Sequence, residues 1–410
     1  MLDPVFQNTS IDYFHSSVAE TKTDWPAELS EIMGPIAIAQ AVEEISQWPA
    51  YAPTPLRQFT GLAAELGVHN IYYKDEATRF GLGSFKALGG AYAVLCLLRR
   101  ELSQKLDREV DFAEIRSGAL AEHTRNIMVA TATDGNHGRS VAWGSQQFNC
   151  GCTIYIHAEV SEGRKAAMEA FGATVVRVDG NYDASVQQAE RDANDNGWFI
   201  VSDTSYEGYV DLPRHVAAGY TLFMDEAIAA INAIDGESAP THVFVQGGVG
   251  GLASAVFGYL WQKYGRDRPR FVMVEPNLAD CLLQSARNAR ATLVDIQDET
   301  IMAGLSCGEV SLLGWRIIEP CVDDYLSIDD ELVAPTMRML ADGAFDQAPV
   351  VAGESGVAGL SGLIAACQQP SLKTALGLTA QSRVMVIGTE GATDPEIYEQ
   401  IVGRPATAVA

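Results

Sequence analysis

Positive charge is scarce in this chain. Lysine and arginine total 28 of 410 residues against 53 acids, a formal net charge of −25. Binding a polyphosphate depends on Lys and Arg releasing counterions, and no basic stripe is visible, so nucleic acid is excluded as a partner. The same charge argues against an anionic membrane surface and suits a small-molecule ligand. Cysteine is sparse and scattered, seven in all at 96, 150, 152, 281, 307, 321 and 367. That odd number is no disulfide framework, and Cys150-Gly151-Cys152 is too tight for the usual zinc hooks. Reduced, buried thiols in a cytoplasmic protein are expected, with no metal site. A redox link between Cys281 and Cys307 would border the active site. Long apolar runs are missing too. Val243 to Trp261 carries no charge, but Gln246 and four glycines by Ala253 make it a strand, turn and helix rather than a lipid-facing span. The start, Met1-Leu2-Asp3-Pro4, has neither the basic end nor the apolar core of a secretory signal. Repeats and low-complexity tracts are absent.

What is present is an ordinary globular balance, 47 % hydrophobic and 20 % charged. At roughly 150 residues per domain, two or three domains are expected. Short β-branched runs alternate with helical stretches. Predicted strands are Asn126-Ala132, Thr153-His157, Thr174-Val178, Phe199-Ser202, His242-Gln246, Phe271-Glu275 and Arg383-Gly388. Most are apolar on both faces, the pattern of parallel strands covered by helices on each side. Helices are predicted at Ser161-Phe171, Ala184-Asn194, Leu252-Tyr264 and Gly356-Gln368. The fold class is therefore α/β, doubly wound. The segment from Gly208 to Arg214 looks irregular and marks a seam near 210–225. Residues 1–55 read as an extension or an oligomer contact.

Four segments carry candidate chemistry. Gly81-Leu-Gly-Ser-Phe-Lys-Ala-Leu-Gly-Gly90 puts Lys86 in the first turn of an apolar helix. The helix dipole and burial both disfavour an ammonium there, and a neutral amine suits Schiff-base chemistry with an aldehyde. Thr131-Ala-Thr-Asp-Gly-Asn-His-Gly138 joins a strand to a helix, where backbone N–H groups make an anion site. Gln246-Gly-Gly-Val-Gly-Gly251 lets backbone amides approach a phosphate without lysines. Its Gly248-x-Gly250-x-x-Ala253 spacing also fits a dinucleotide fingerprint, with Glu275 near the place of a ribose-binding acid. Gly388-Thr-Glu-Gly391 comes after a strand and offers Thr389 to a pyridine nitrogen. Taken singly, each is equally a glycine turn or a helix cap.

In combination and order they resemble the fold-type II pyridoxal-phosphate enzymes. The runs Lys74-Asp-Glu-Ala-Thr-Arg-Phe-Gly-Leu-Gly-Ser-Phe-Lys86, Thr133-Asp-Gly-Asn-His-Gly-Arg139, Ser202-Asp-Thr-Ser-Tyr-Glu-Gly-Tyr209, Met302-Ala-Gly-Leu-Ser-Cys-Gly-Glu309 and Gly353-Glu-Ser-Gly356 look like the diaminopropionate ammonia-lyase family. Tyr206 departs from that pattern, which has Trp there.

The resemblance implies two doubly wound α/β domains with pyridoxal 5'-phosphate in the interdomain cleft. The larger would span 1–90 plus 225–410 and the smaller 91–224. It implies a cytoplasmic homodimer that converts 2,3-diaminopropionate to pyruvate and ammonia. Lys86 would hold the cofactor, Asn136 would meet its ring hydroxyl, Gly247, Gly248, Val249, Gly250 and Gly251 its phosphate, and Thr389 its ring nitrogen. Lys86 and Asp134 would be bases on opposite faces. Asp134, Gly135 and Asp203 would meet the substrate. Asp134 beside a substrate carboxylate costs roughly 1 kcal/mol or more. A second positive charge on the substrate, the β-ammonium, makes it tolerable, and Asp203 adds another acid. The alternative is a serine, threonine or 3-hydroxyaspartate dehydratase of the same fold type. A dinucleotide-dependent oxidoreductase would leave the Ser84-Phe85-Lys86 and Gly135-Asn136-His137 blocks unexplained. A non-enzymatic amino-acid sensor would leave Lys86 without a use.

Overall fold

The computed structural model describes residues 2–133, 135–236 and 239–409. Asp134, predicted above as a base, lies outside the described residues. The chain forms two compact units. One comprises Met1–Ile32, Pro53–Ser84 and Phe223–Ala410. The other comprises Met33–Ala52 and Phe85–Leu222. Residues 33–52, within the larger domain as the resemblance implies it, group with the second unit, and the division beside Lys86 falls between Ser84 and Phe85.

The first unit is built on a sheet of seven strands. These are β1 (Asp12–His15), β2 (Leu56–Gln58), β3 (Asn70–Asp75), β8 (His242–Gln246), β9 (Arg270–Pro276), β10 (Asp324–Ile328) and β11 (Arg383–Gly388). They lie in the order β1-β10-β9-β8-β11-β3-β2. Strands β10, β9, β8, β11 and β3 pair in parallel. The outermost strands β1 and β2 pair antiparallel. Every residue of β3, β8 and β10 is buried, as a parallel sheet covered on both faces requires. The second unit carries four parallel strands, β4 (Met128–Ala132), β5 (Gly151–Ile156), β6 (Thr174–Arg177) and β7 (Phe199–Ile200). Their order is β6-β5-β4-β7.

All seven predicted strands are present. The seam expected near 210–225 coincides with the division between the units at Leu222 and Phe223, but from Asp211 on the chain there is not irregular. Asp211–Asp235 is one 25-residue helix. Pro213 sits in its first turn, where a missing N–H costs nothing. Among the described residues, no helix is long and apolar enough to cross a membrane.

The loops that the sequence singled out all leave the carboxyl ends of parallel strands. In β8 this end leads to Gly247–Gly251, in β11 to Thr389, in β4 to Gly135–Gly138 and in β7 to Asp203. Ligands of open α/β sheets bind at these ends, because helix N-termini and unpaired strand-end amides converge there.

Candidate active site

In the second unit the chemistry gathers around one amine. Lys86 is the first residue of the helix Lys86–Leu106. Its Nζ donates to Oδ2 of Asp203, 117 residues away. The dipole and burial arguments from sequence considered only what disfavours an ammonium; the structure supplies a carboxylate countercharge. Burial alone would raise the Asp203 carboxyl, but the charge and hydrogen bond of Lys86 hold it below the usual carboxylate range. The loop that carries Asp203 is braced twice. His137 Nε2 donates to Val201 O at 2.9 Å, since a carbonyl only accepts. The Tyr209 hydroxyl donates to Ile200 O and accepts from Ser202 N, both at 2.9 Å. His137 Nδ1 lies 3.8 Å from Asp203 Oδ2. Burial pushes the imidazole below the ordinary histidine value, Asp203 works against this, and Lys86 works with it.

Asn136 opens the helix Asn136–Gln147, with Gly135 just ahead of it. The turn is closed by Thr133, whose Oγ1 accepts from the N–H groups of Gly135 and Gly138, each at 3.1 Å. A Cβ on Gly138 would lie 2.3 Å from Thr133 Cγ2, so glycine permits this closure.

In the first unit, Gly247 to Gly251 join β8 to the helix Gly251–Tyr264. Gly248 and Gly250 have φ of +62° and +92°, the left-handed region that favours glycine. The loop carbonyls turn back into the protein. Gly247 O accepts from Gly250 N, and Val249 O from Ser311 N. Gly248 O accepts from Cys281 Sγ at 3.5 Å. The N–H groups of Gly248, Val249, Gly251 and Leu252 have no acceptor among the described residues. Amides without acceptors at a helix N-terminus are an anion site, and they fit a phosphate.

Thr389 comes directly after β11 and is buried. Its Oγ1 accepts from Gln246 Nε2 at 3.1 Å. A Cβ on the preceding Gly388 would fall 2.0 Å from the Tyr73 hydroxyl, which explains glycine there.

Glu275, the candidate ribose-binding acid of a dinucleotide site, is used otherwise. It is 0 % exposed, and its carboxylate accepts from Leu282 N at 2.9 Å and Leu283 N at 2.8 Å. It therefore caps the helix Cys281–Asn288 and supports the glycine loop from behind. A Cβ on Gly247 would lie 2.5 Å from Glu275 Cγ. No disulfide forms among the described residues, Cys281 and Cys307 included.

Burial pushes the Glu275 carboxyl up to about 8, against both N–H bonds. An unfolded glutamate ionises near 4.5. Between those values the unfolded chain binds fewer protons, so stability falls as pH rises. Between about pH 5 and pH 8, the melting midpoint is expected to fall by a few degrees more in the wild type than in Glu275→Gln. Parallel pH profiles would remove Glu275 as the cause.

The structure thus brings Lys86 and Asp203 together, and places Gly135, Asn136, the glycine loop and Thr389 at strand ends. Sequence reasoning missed the roles of Thr133, Tyr209 and Gln246. Tyr209 was legible only as part of the run from Ser202, and Gln246 only as the last residue of a strand.

The family model for pyridoxal-phosphate dependent enzymes matches residues 47–390. The chain is 39 % identical over 364 residues to the diaminopropionate ammonia-lyase of Escherichia coli strain K12, covering 88 % of this chain and 89 % of that one. It is 38 % identical to the enzyme of that name from Salmonella typhimurium, covering 87 % and 90 %. Among solved structures, the Escherichia coli diaminopropionate ammonia-lyase in complex with an aminoacrylate-PLP azomethine reaction intermediate superposes with a TM-score of 0.85. That alignment has 35 % identity and covers 96 % of this chain and 97 % of the other. An amine at a helix start, a cradle of unpaired amides and a hydroxyl at a strand end agree with these likenesses, and the chain belongs to the family of pyridoxal-phosphate dependent enzymes.

Proposed function

We propose that this protein is an ammonia-lyase that eliminates ammonia from 2,3-diaminopropionate, giving pyruvate and two ammonia molecules per turnover. The likeness over most of the chain to enzymes of that name carries this reading. The acidic site supports it: Asp203, and Asp134 in the sequence, suit a substrate with a second ammonium better than one with a hydroxyl.

The pyridoxal group, when bound, supplies an electron sink for the pair left at Cα after deprotonation. The chain's own residues do the rest. The amides of Gly248, Val249, Gly251 and Leu252 bind the phosphate, those of Gly247 and Gly250 being taken by Val274 O and Gly247 O; Asn136 meets the ring hydroxyl, and Thr389 donates to the ring nitrogen. Lys86 is the attachment amine and moves the Cα proton at its Nζ on one face. Asp134 is the base of the opposite face, which lets both enantiomers react. Asp203 holds Nζ in place and offers a countercharge to the β-ammonium. His137 and Tyr209 keep the Asp203 loop in position. We further infer a homodimer in the cytoplasm; the 85 % exposed Ile36 suits a covered face, and thiols without disulfides suit a reducing compartment.

The test is an assay of the purified, cofactor-loaded protein with D- and L-2,3-diaminopropionate and with D- and L-serine. Two ammonia per pyruvate from diaminopropionate, with kcat/KM well above that for serine, is expected. Turnover confined to serine or another hydroxy amino acid would replace the substrate with that of a dehydratase.

A further inference from the structure

Gln246 ends β8 with its side chain 1 % exposed. Four oxygens surround its Nε2: Ile387 O at 3.0 Å, Thr389 Oγ1 at 3.1 Å, Ser355 O at 3.2 Å and Gly356 O at 3.4 Å. Three are carbonyls, which never donate, so the amide must turn its NH2 group this way. The orientation is thereby fixed by chemistry, at the cost of leaving Gln246 Oε1 buried without a partner among the described residues.

The consequence falls on Thr389. In its bond with Gln246 the amide is the donor, so Oγ1 is the acceptor. The hydroxyl hydrogen still needs an acceptor, and Thr389 is only 3 % exposed. No other hydrogen bond of its side chain exists among the described residues. A buried hydroxyl without an acceptor is costly. An unprotonated heteroaromatic nitrogen satisfies it. A protonated ring nitrogen does not: the remaining lone pair of Oγ1 could accept from its N–H, but the hydroxyl hydrogen would stay buried without an acceptor.

We propose that Gln246 is a positioning residue that fixes Thr389 as a donor and so selects the unprotonated form of the cofactor ring. This rests on the reading that Thr389 meets the ring nitrogen. An unprotonated ring is a weaker electron sink, which favours prompt loss of a β-leaving group over side reactions that need a long-lived carbanion. The role is thus one of reaction specificity, exerted through a residue that touches the cofactor rather than by Gln246 itself.

The test is a double-mutant cycle on holoenzyme with Gln246→Leu, Thr389→Val and the pair together. Cofactor Kd and the position of the visible absorption band are read, with kcat second. Each single variant is expected to weaken cofactor binding about 2- to 10-fold, the range of one neutral hydrogen bond, and to move the band in the same direction. The double variant is expected to bind within about 2-fold of Thr389→Val alone, since Gln246 has nothing left to position. Thr389→Ser keeps the hydroxyl and should keep both Kd and band. Should Gln246→Leu fail to fold, Gln246→Met completes the cycle at nearly unchanged volume. Losses that multiply in the double variant, or a Gln246 variant with unaltered band and Kd, would reduce Gln246 to a structural residue and overturn the proposal. A Thr389→Val protein indistinguishable from wild type would instead remove Thr389 from the ring nitrogen, and the proposal with it.

Discussion

Lys86→Ala is expected to abolish covalent retention of the cofactor and to lower kcat about 1,000-fold or more. The magnitude reflects the loss of a positioned proton-transfer group, which contributes on the order of 100- to 10,000-fold, together with the attachment amine. The decisive readout is not activity. Borohydride reduction of the loaded wild type should add the cofactor's mass to the peptide containing Lys86, and reduction of Lys86→Ala should add none. Lys86→Arg is the control, since it keeps a cation for Asp203 and so separates loss of chemistry from loss of the ion pair. It should retain more of the wild-type melting temperature than Lys86→Ala, yet no covalent cofactor. Mass added at another lysine in Lys86→Ala would move the attachment point. Lys74 is the nearest in sequence and an unsuitable one, because its side chain is 1 % exposed and committed to carboxylates.

That contrast between two lysines twelve residues apart shows what the sequence can carry. The glycines around Gly81–Gly90 and the apolar helix behind them single out Lys86, because local geometry suffices to place it. The glycine loop and Thr389 were legible for the same reason: each sits in a turn at the carboxyl end of a strand. Long-range pairings were not. Asp203 meets Lys86 across 117 residues, and Gln246 meets Thr389 across 143. Nothing in either local pattern specifies a partner. Glu275 shows the converse failure. Its place at a strand end suited a ribose, and only the fold reveals that two amides of the helix Cys281–Asn288 already use it. Strands β1 and β10 escaped notice because Asp-Tyr-Phe-His is short and half exposed, and Asp-Tyr-Leu-Ser-Ile mixes polar with apolar residues. Their antiparallel pairing, Asp12 with Ser327 through His15 with Asp324, settles both.

Arg79→Met is expected to destabilise the first unit by about 3 to 5 kcal/mol, the range for removing one partner of a buried charge cluster. Arg79 stands among Thr54, Lys74, Glu76 and Glu226, all within that unit. Its Nε donates to Glu76 Oε2 at 2.8 Å, and its two terminal nitrogens reach both oxygens of Glu226 at 2.9 and 2.7 Å. Lys74 Nζ donates to the same Glu226 at 2.6 Å and to Thr54 O at 2.8 Å. The side chains of Lys74, Glu76, Arg79 and Glu226 are 1 %, 0 %, 1 % and 5 % exposed. Two cations and two anions cancel, so the desolvation cost is offset only while all four stay. Burial pushes the Glu226 carboxyl up, but Arg79 and Lys74 together hold it below its ordinary value. Removing Arg79 leaves two buried carboxylates with one ammonium. Arg79→Met with Glu226→Leu removes one charge of each sign and leaves Lys74 facing Glu76 at 3.8 Å. The double variant should therefore unfold at a higher urea concentration than Arg79→Met alone, despite carrying one more substitution. A double variant that loses the sum of the two single losses would mean that the four charges act independently, and that Arg79 stabilises the unit through packing of its stem rather than as the centre of a neutral cluster.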